Sequence, residues 1–342
     1  MQGVWRVTID TNPEDCNLHC IMCEEHSPYS DFISNLFRTT GVKRRRMPFQ
    51  LVEKVFSDAK ELGVKEIIPS TMGEPLLYKD FEEMIRLAHL HGIRLNLTTN
   101  GTFPKKTASE WAELIVPVTS DVKISWNGAS KQIAEQVMTG LDFETTKQKV
   151  REFIRVRDIH YSKTGYYCRV TFQLTFMQNN MHELADIVKL AAEMGVDRVK
   201  GHHLWMHFSE IEKLSMKESE ESKRKWNQYV QEAFSTQQNH LKPDGKQVIL
   251  ENILPLEIID STTEVSEHYE CPFLDKELWI SATGKISPCC APDNLRQSLG
   301  DFGNYQDKGL TEVINSKEYR SLVENYKTIP LCKTCNMRRP AT

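Results

Sequence analysis

Short strand-like stretches alternate with helix-period stretches as far as about residue 203, and no other feature limits the fold as strongly. Val4 to Asp10 alternates, with Trp5, Val7 and Ile9 on one side and Arg6, Thr8 and Asp10 on the other, the pattern of a half-buried strand. Leu51 to Leu62 carries apolar residues at 51, 52, 55, 56, 59 and 62 and stops at Gly63, which predicts a helix. The same reading predicts strands over Val64 to Pro69, Arg94 to Asn100, Val122 to Asn127, Cys168 to Phe176 and Arg198 to His203. Helices are predicted over Phe81 to His91, Arg151 to Ile159 and His182 to Met194. Strands separated in this way argue repeated βα units, six of them, and a parallel sheet: an α/β fold.

The chain has 342 residues, 39% hydrophobic and 26% charged, which is enough to bury a sizeable core. Its 43 Lys and Arg nearly balance 47 Asp and Glu, leaving a net charge of −4. That balance removes the electrostatic case for a nucleic-acid or membrane-surface binder. No apolar run approaches the roughly 20 residues of a membrane span. The opening MQGVWRVTID has neither a charged leader nor an apolar signal core, so a cytoplasmic location is expected.

Nine cysteines in such a chain read as metal ligands or redox groups before disulfides. Cys16, Cys20 and Cys23 form a C-x3-C-x2-C triplet. Structural zinc takes four protein ligands, so the zinc alternative needs His19 or His26 to complete the site. A four-iron cluster on three thiolates instead keeps one iron open to a substrate or cofactor. The triplet resembles the signature of the radical S-adenosylmethionine (SAM) superfamily. That resemblance implies a SAM-binding [4Fe–4S] cluster on Cys16, Cys20 and Cys23, and a 5′-deoxyadenosyl radical that takes a hydrogen atom from the substrate. It also implies a partial (β/α)6 barrel over residues 1–210. Gly73-Glu74-Pro75 resembles the family's G-G-E-P, with Met72 at the first glycine; Glu74 would bond the SAM amino group. Ser125-Trp126-Asn127-Gly128 resembles S-x-D-G, with Asn127 for the aspartate and Ser125 set to contact the methionyl or ribose part. Thr99-Asn100-Gly101 resembles T-N-G, which puts Asn100 beside the cofactor, and Met22 stands where an aromatic often packs near the adenine.

Residues 211–270 read as a helical connector. In it, Trp226, Tyr229, Val230, Ala233 and Phe234 mark an amphipathic helix within Ser215 to Gln238, and Pro243 and Pro255 follow. Residues 271–342 predict a small α+β cysteine-rich domain, with a hairpin over Leu278 to Ile286 and a helix around Leu310 to Tyr326. Cys271, Gly284-x4-Cys289 and Cys332-x2-Cys335 resemble the twitch domain, a shortened SPASM domain. The longer version carries further cysteines beyond the final C-x2-C, and this chain ends at Thr342 without them. The resemblance therefore implies one auxiliary [4Fe–4S] cluster on Cys271, Cys289, Cys332 and Cys335; zinc on the same four is the alternative. Cys168 reads as a packing residue. Cys290 could replace Cys289 as ligand or donate a hydrogen atom to a substrate radical.

Polar residues line one face of each strand: Arg6/Thr8/Asp10, Asn96/Thr98/Asn100, Lys123/Ser125/Asn127, Arg169/Thr171/Gln173/Thr175 and Arg198/Lys200/His202. With helices outside, these faces point inward and call for a polar, hydrogen-bonding substrate. Arg169, His202 and His203 are candidates to orient or deprotonate it. His202, His203 and His207 could also form a metal box or be ordinary packing residues. Lys43-Arg44-Arg45-Arg46 reads as a solvated loop or a docking point for an acidic electron donor or anionic group. The resemblance extends to 2-deoxy-scyllo-inosamine dehydrogenase-type enzymes, and implies oxidation or epimerisation of a sugar, aminocyclitol or nucleoside-like molecule. The expected electron donor is a flavodoxin or ferredoxin. Two alternatives stand beside this reading. One is a maturase of ribosomally made peptides, against which counts a first strand beginning at residue 4 with no room for a peptide-recognition domain. The other is a non-catalytic two-cluster electron carrier.

Overall fold

The computed structural model describes residues 3–70, 72–258, 265–291, 293–335 and 337–340. Residues 259–264 of the expected connector therefore lie outside the described residues. In chain order the strands are β1 (Arg6–Ile9), β2 (His19–Cys20), β3 (Glu66–Ile68), β4 (Arg94–Thr99), β5 (Thr119–Ser125), β6 (Met138–Thr139), β7 (Arg169–Phe176), β8 (Arg198–His203), β9 (Ile249–Glu251), β10 (Tyr269–Glu270), β11 (Glu277–Ile280), β12 (Ile286–Ser287) and β13 (Arg339–Pro340). The chain forms two compact units, and the division falls inside β4, after Asn96.

The first unit comprises Met1–Asp15, Arg44–Asn96 and Ser261–Thr342. Here β1 runs parallel to β3 on one side and to β11 on the other, so that Arg6 faces both Glu66 and Glu277. β3 pairs in parallel with the start of β4, and β11 turns back antiparallel into β12. The hairpin expected in the cysteine-rich segment thus forms, and its first strand extends the parallel sheet. All four residues of β11 are buried, which explains why it joins a core. Helix Phe49–Glu61 buries Leu51, Val52, Val55, Phe56 and Ala59, and helix Phe81–His91 buries Phe81, Met84, Ile85 and Ala88. Each of these side chains larger than alanine contributes roughly 1.5–3 kcal/mol when taken from water. The helix expected around Leu310 to Tyr326 is two helices, Leu310–Asn315 and Lys317–Asn325. Ser316 breaks it: its backbone is extended, and its hydroxyl accepts from the Tyr319 N–H to cap the second helix.

The second unit comprises Cys16–Lys43 and Leu97–Asp260. β5, β7, β8 and β9 pair in parallel, with Asp121 opposite Arg169, Thr171 opposite Arg198 and Arg198 opposite Ile249. β9 lies in the stretch read as connector; three residues are too few to show a period, and its place comes from pairing with β8. Helix Phe143–Thr164 is more than twice the predicted segment, because Asp142 caps it ahead of a polar first turn. Helix Ala108–Ile115, unseen in the sequence reading, opens on a capping box between Thr107 and Glu110. Helix Glu220–Asn239 carries Trp226, Val230 and Ala233 inward as expected, whereas Tyr229 is half-buried and Phe234, at the edge of the stripe, is exposed. On β7, Val170, Phe172, Leu174 and Phe176 are completely buried, as is Cys168 just before it. No helix among the described residues is long and apolar enough to cross a membrane.

Candidate active site

In the second unit the C-x3-C-x2-C loop is anchored by β2, which pairs antiparallel with β6: His19 faces Thr139 and Cys20 faces Met138. The Ile21 N–H donates to the Val137 carbonyl at 3.0 Å, and the Ser27 hydroxyl to the Ile21 carbonyl at 2.9 Å. Two backbone N–H groups point at the sulfurs, Leu18 to Cys16 Sγ at 3.5 Å and His26 to Cys23 Sγ at 3.4 Å. Asn100 adds its side-chain Nδ2, 3.9 Å from Cys16 Sγ and 2.9 Å from Asn17 Oδ1, while Thr102 donates twice to Asn100 Oδ1. Burial, with Cys23 and Cys16 beside it, pushes the Cys20 thiol well above its ordinary value, and burial raises Cys23 to about 12. Such thiols ionise against a cationic centre and not alone. N–H donors aimed at sulfur suit the thiolates of an iron–sulfur cluster, whose potential they tune. His19 Nδ1 instead meets the His26 carbonyl at 3.1 Å. Among the described residues no three His, Cys, Asp or Glu side chains gather closely enough to hold a single ion. A four-iron cluster makes a different demand, since each thiolate binds its own iron. Met22 is half-buried between Cys20 and Cys23.

In the first unit Gly73 has φ +73°, and a Cβ there would lie 2.4 Å from the Asn12 carbonyl oxygen and 2.9 Å from those of Pro13 and Asp15. The close backbone approach is thus made at the second glycine position of G-G-E-P, where the chain keeps Gly73, and not at the first, where it has Met72. The Glu74 N–H donates to the Asp15 carbonyl at 2.7 Å, and Asn12 Nδ2 to the Glu74 carbonyl at 3.0 Å. The Glu74 carboxylate is buried and accepts from the Leu76 N–H at 3.2 Å, capping the short turn Pro75–Leu77. The basic run is a loop in which Lys43, Arg44 and Arg46 are exposed and Arg45 is half-buried, and its arginines are ion-paired. Arg44, Arg45 and Arg46 pair with Glu14 and Asp15, and Lys43 lies over the Phe37 ring.

The strand ends of the second unit carry the other expected residues. Asn127 is buried, and its Oδ1 accepts from the Thr175 N–H at 2.8 Å. Asn180, which sequence reasoning passed over, donates to the carbonyls of Asn127 and Thr175 and so ties the ends of β5 and β7. Glu183 accepts from the Ala129 and Ser130 N–H groups and fixes the loop after β5. Only their place in the loop after β7 could have suggested either residue. Ser125 is half-buried at the end of β5.

His202 stands opposite Thr175, where burial first and Lys200 second lower its imidazole to about 4. His203 packs edge-on against Phe176 and Trp226; burial lowers it to about 3, and its Nδ1 is buried without a partner among the described residues. Arg169 begins β7, is exposed, and reaches Asp121 at 3.9 Å. Six residues of strand, roughly 20 Å, separate it from Thr175, so the structure does not bring it to the histidines. Lower on the same face, Arg198 pairs with Asp121, with Glu251 at 2.6 Å and with Thr171 at 3.2 Å. In the first unit Arg6 bonds Glu277 at 2.6 Å and Asn96 bonds Glu66 at 2.9 Å. Much of the polar lining that pointed to a substrate therefore satisfies itself.

The C-terminal cysteines form their own group in the first unit. Cys271 Sγ accepts from the Leu274 N–H at 3.3 Å, Cys289 Sγ from Ala291 at 3.3 Å and Cys335 Sγ from Met337 at 3.4 Å. The Cys290 thiol donates to Cys289, which brings Cys289 down to about 7 and holds Cys290 well up. Burial raises Cys271 to about 11 and Cys332 to about 12. Arg338, buried and missed by the sequence reading, donates to the carbonyls of Cys332, Ser266 and Tyr269 and pins the last cysteine turn.

With both cysteine sets in place, the family follows from comparison with known proteins. The description "Radical SAM superfamily" matches residues 13–201, and an iron–sulfur cluster-binding (SPASM) domain matches residues 271–336. The chain belongs to the radical SAM superfamily. Its first region is a domain that binds SAM and a [4Fe–4S] cluster, and its second an iron–sulfur cluster-binding domain.

A probable GTP 3′,8-cyclase of Pyrococcus abyssi (strain GE5 / Orsay) is 31% identical over 100 residues, 29% of this chain and 28% of that protein. PqqA peptide cyclase of Rhodopseudomonas palustris (strain ATCC BAA-98 / CGA009) is 27% identical over 148 residues, 43% of this chain and 36% of that one. The chain thus aligns with about a third of these relatives' length. Among solved structures, Streptococcus suis SuiB bound to precursor peptide SuiA matches with a TM-score of 0.66 and 19% identity, covering 98% of this chain and 72% of that one. That likeness is one of fold.

Proposed function

We propose that this enzyme abstracts a hydrogen atom from a polar small molecule (a sugar, aminocyclitol or nucleoside-like compound) and carries it to oxidation or epimerisation. One observation carries the reading. On the polar face of β5, β7 and β8 the lower side chains are committed to one another, whereas Ser125, Gln173 and His202 at the upper ends are half-buried and make no side-chain hydrogen bond among the described residues. Groups of this kind fit hydroxyls or amines of a ligand.

When bound, SAM and its cluster supply the radical that removes the hydrogen atom. Cys16, Cys20 and Cys23 would hold that cluster and, as the family resemblance implies, Glu74 would bond the SAM amino group. Asn127, Asn180 and Glu183 keep the loop beyond Ser125 fixed. His202, neutral through the physiological range, would accept a hydrogen bond from a substrate hydroxyl at that end of β8, and Gln173 would orient the ligand. Cys271, Cys289, Cys332 and Cys335 would hold the auxiliary cluster, and four thiolate ligands would suit it to electron transfer.

A second reading, radical modification of a peptide, is supported by exposed apolar side chains among the loops that follow the cysteine triplet and β8. Tyr29 is 44% exposed and Met206 57%, and Tyr29 meets Phe208 at 6.4 Å. The names of a relative and of a solved structure, PqqA peptide cyclase and SuiB with its precursor peptide, lie on the same side.

The test is 5′-deoxyadenosine formation by anaerobic, reduced protein with pools of deuterated sugars, aminocyclitols, nucleosides or peptides. Deuterium arriving from a small-molecule pool supports the first reading; transfer from the peptide pool alone replaces it with the second. No cleavage, with clusters present, leaves the electron carrier.

A further inference from the structure

The basic run before helix Phe49–Glu61 has a role that neither cysteine set explains. Arg45 donates from its backbone N–H to Glu14 Oε2 at 2.5 Å and from Nε to Glu14 Oε1 at 2.6 Å, and the Glu14 side chain is completely buried. Arg46 forks onto the next residue, Nε to Asp15 Oδ2 at 2.7 Å and Nη2 to Oδ1 at 3.1 Å, and Arg44 adds a contact at 3.3 Å. From the other side the Glu74 N–H grips the Asp15 carbonyl at 2.7 Å, and Gly73 leaves no room for a side chain against residues 12–15. Asp15 is joined directly to Cys16. Simple charge neutralisation asks for no fixed geometry. Two-point attachments on successive residues impose one: the Arg46 guanidinium forks across both Asp15 oxygens, and Arg45 holds one Glu14 oxygen with its backbone N–H and the other with its guanidinium.

We infer that Arg45 and Arg46 are positioning residues for SAM. Acting through Glu14 and Asp15, they fix the Asp15 carbonyl that holds Glu74, and so set where the Glu74 carboxylate meets the SAM amino group. The inference rests on the reading of Glu74 as that partner.

The experiment titrates SAM into anaerobically reconstituted, reduced protein and follows the change in the cluster's electron paramagnetic resonance spectrum. Iron content and melting temperature are measured on the same samples. The variants are R46Q, R45K, E74Q and R46Q/E74Q. Arg46 is about half exposed, so its loss leaves Asp15 partly solvated and the fold intact. Residues that orient a contact group typically change affinity by about 10- to 100-fold. R46Q and R45K are expected to keep their iron and their SAM-free spectrum while the SAM dissociation constant rises about tenfold. E74Q should weaken SAM at least as much, and the double variant no further, because both changes act through one carboxylate. An affinity within twofold of wild type in both arginine variants, with E74Q weakened, overturns the positioning role alone. Affinity lost only in proportion to iron also overturns it, since that is a purely structural effect. No change in E74Q removes the Glu74 reading and this inference together.

Discussion

Gly73 shows how much one position can decide. Its φ of +73° disfavours any side chain, by roughly 1–2 kcal/mol. The three oxygens a Cβ would strike are backbone carbonyls that cannot swing aside. Gly73→Ala should therefore cost about 3 kcal/mol or more and lower SAM affinity, whereas Met72→Gly should stay within about 1 kcal/mol; thermal melts with a SAM titration check both. His203 makes a different residue-scale case. Buried imidazoles at about 4 (His202) and about 3 (His203) return to about 6.5 in the unfolded chain. Below pH 6.5 the unfolded chain binds more protons, so the stability these residues allow is complete above 6.5 and is lost as pH falls toward 4. His203→Phe keeps the contact with Phe176 and Trp226 and removes the unpartnered nitrogen. It should match wild type at pH 7.5 and lose less stability between pH 6.5 and 5, read from melts across that range. A steeper loss in the variant would show that some other group controls the acid limb.

At the scale of strands and helices, the period-two pattern revealed which faces are apolar but not what the polar faces do. β7 and β8 lie where the alternation placed them, and Val170, Phe172, Leu174 and Phe176 form a buried apolar face as read. The cations opposite them looked like substrate contacts because periodicity gives direction and not partners. Register supplies those: Arg198 stands beside Thr171 and the β9 strand that brings Glu251, and it reaches Asp121 across β7. Elements too short or too polar to show a period, such as β9 and the start of helix Phe143–Thr164, were illegible for the same reason. Arg198→Met tests this account directly. It leaves Asp121 and part of Glu251 buried without their cation, which should cost about 3–5 kcal/mol in urea denaturation. An Arg198 reserved for substrate would instead be lost with little effect on stability. Asp121→Asn/Arg198→Met should recover part of the loss.

For the whole molecule, the two cysteine sets lie in different compact units, and spacing alone made both visible. Spacing could not choose between the adjacent Cys289 and Cys290, because neighbours in sequence have equal claims to a C-terminal ligand. We propose Cys289 as the ligand from its hydrogen bonds. Cys289 Sγ receives the Ala291 N–H at 3.3 Å and the Cys290 thiol, the surroundings of a thiolate, while Cys290 serves as the donor. Reconstituted protein should hold about eight irons, four to each set. Cys289→Ala should fall to about four and Cys290→Ala should stay near eight. Cys16→Ala should also fall to about four and lose the spectral response to SAM, which Cys289→Ala should keep. The two losses should then be additive, since neither set supplies a ligand to the other. If Cys290→Ala loses the iron instead, the ligand assignment reverses. If a single substitution empties both sets, the clusters assemble as one unit and the separation of roles between them fails.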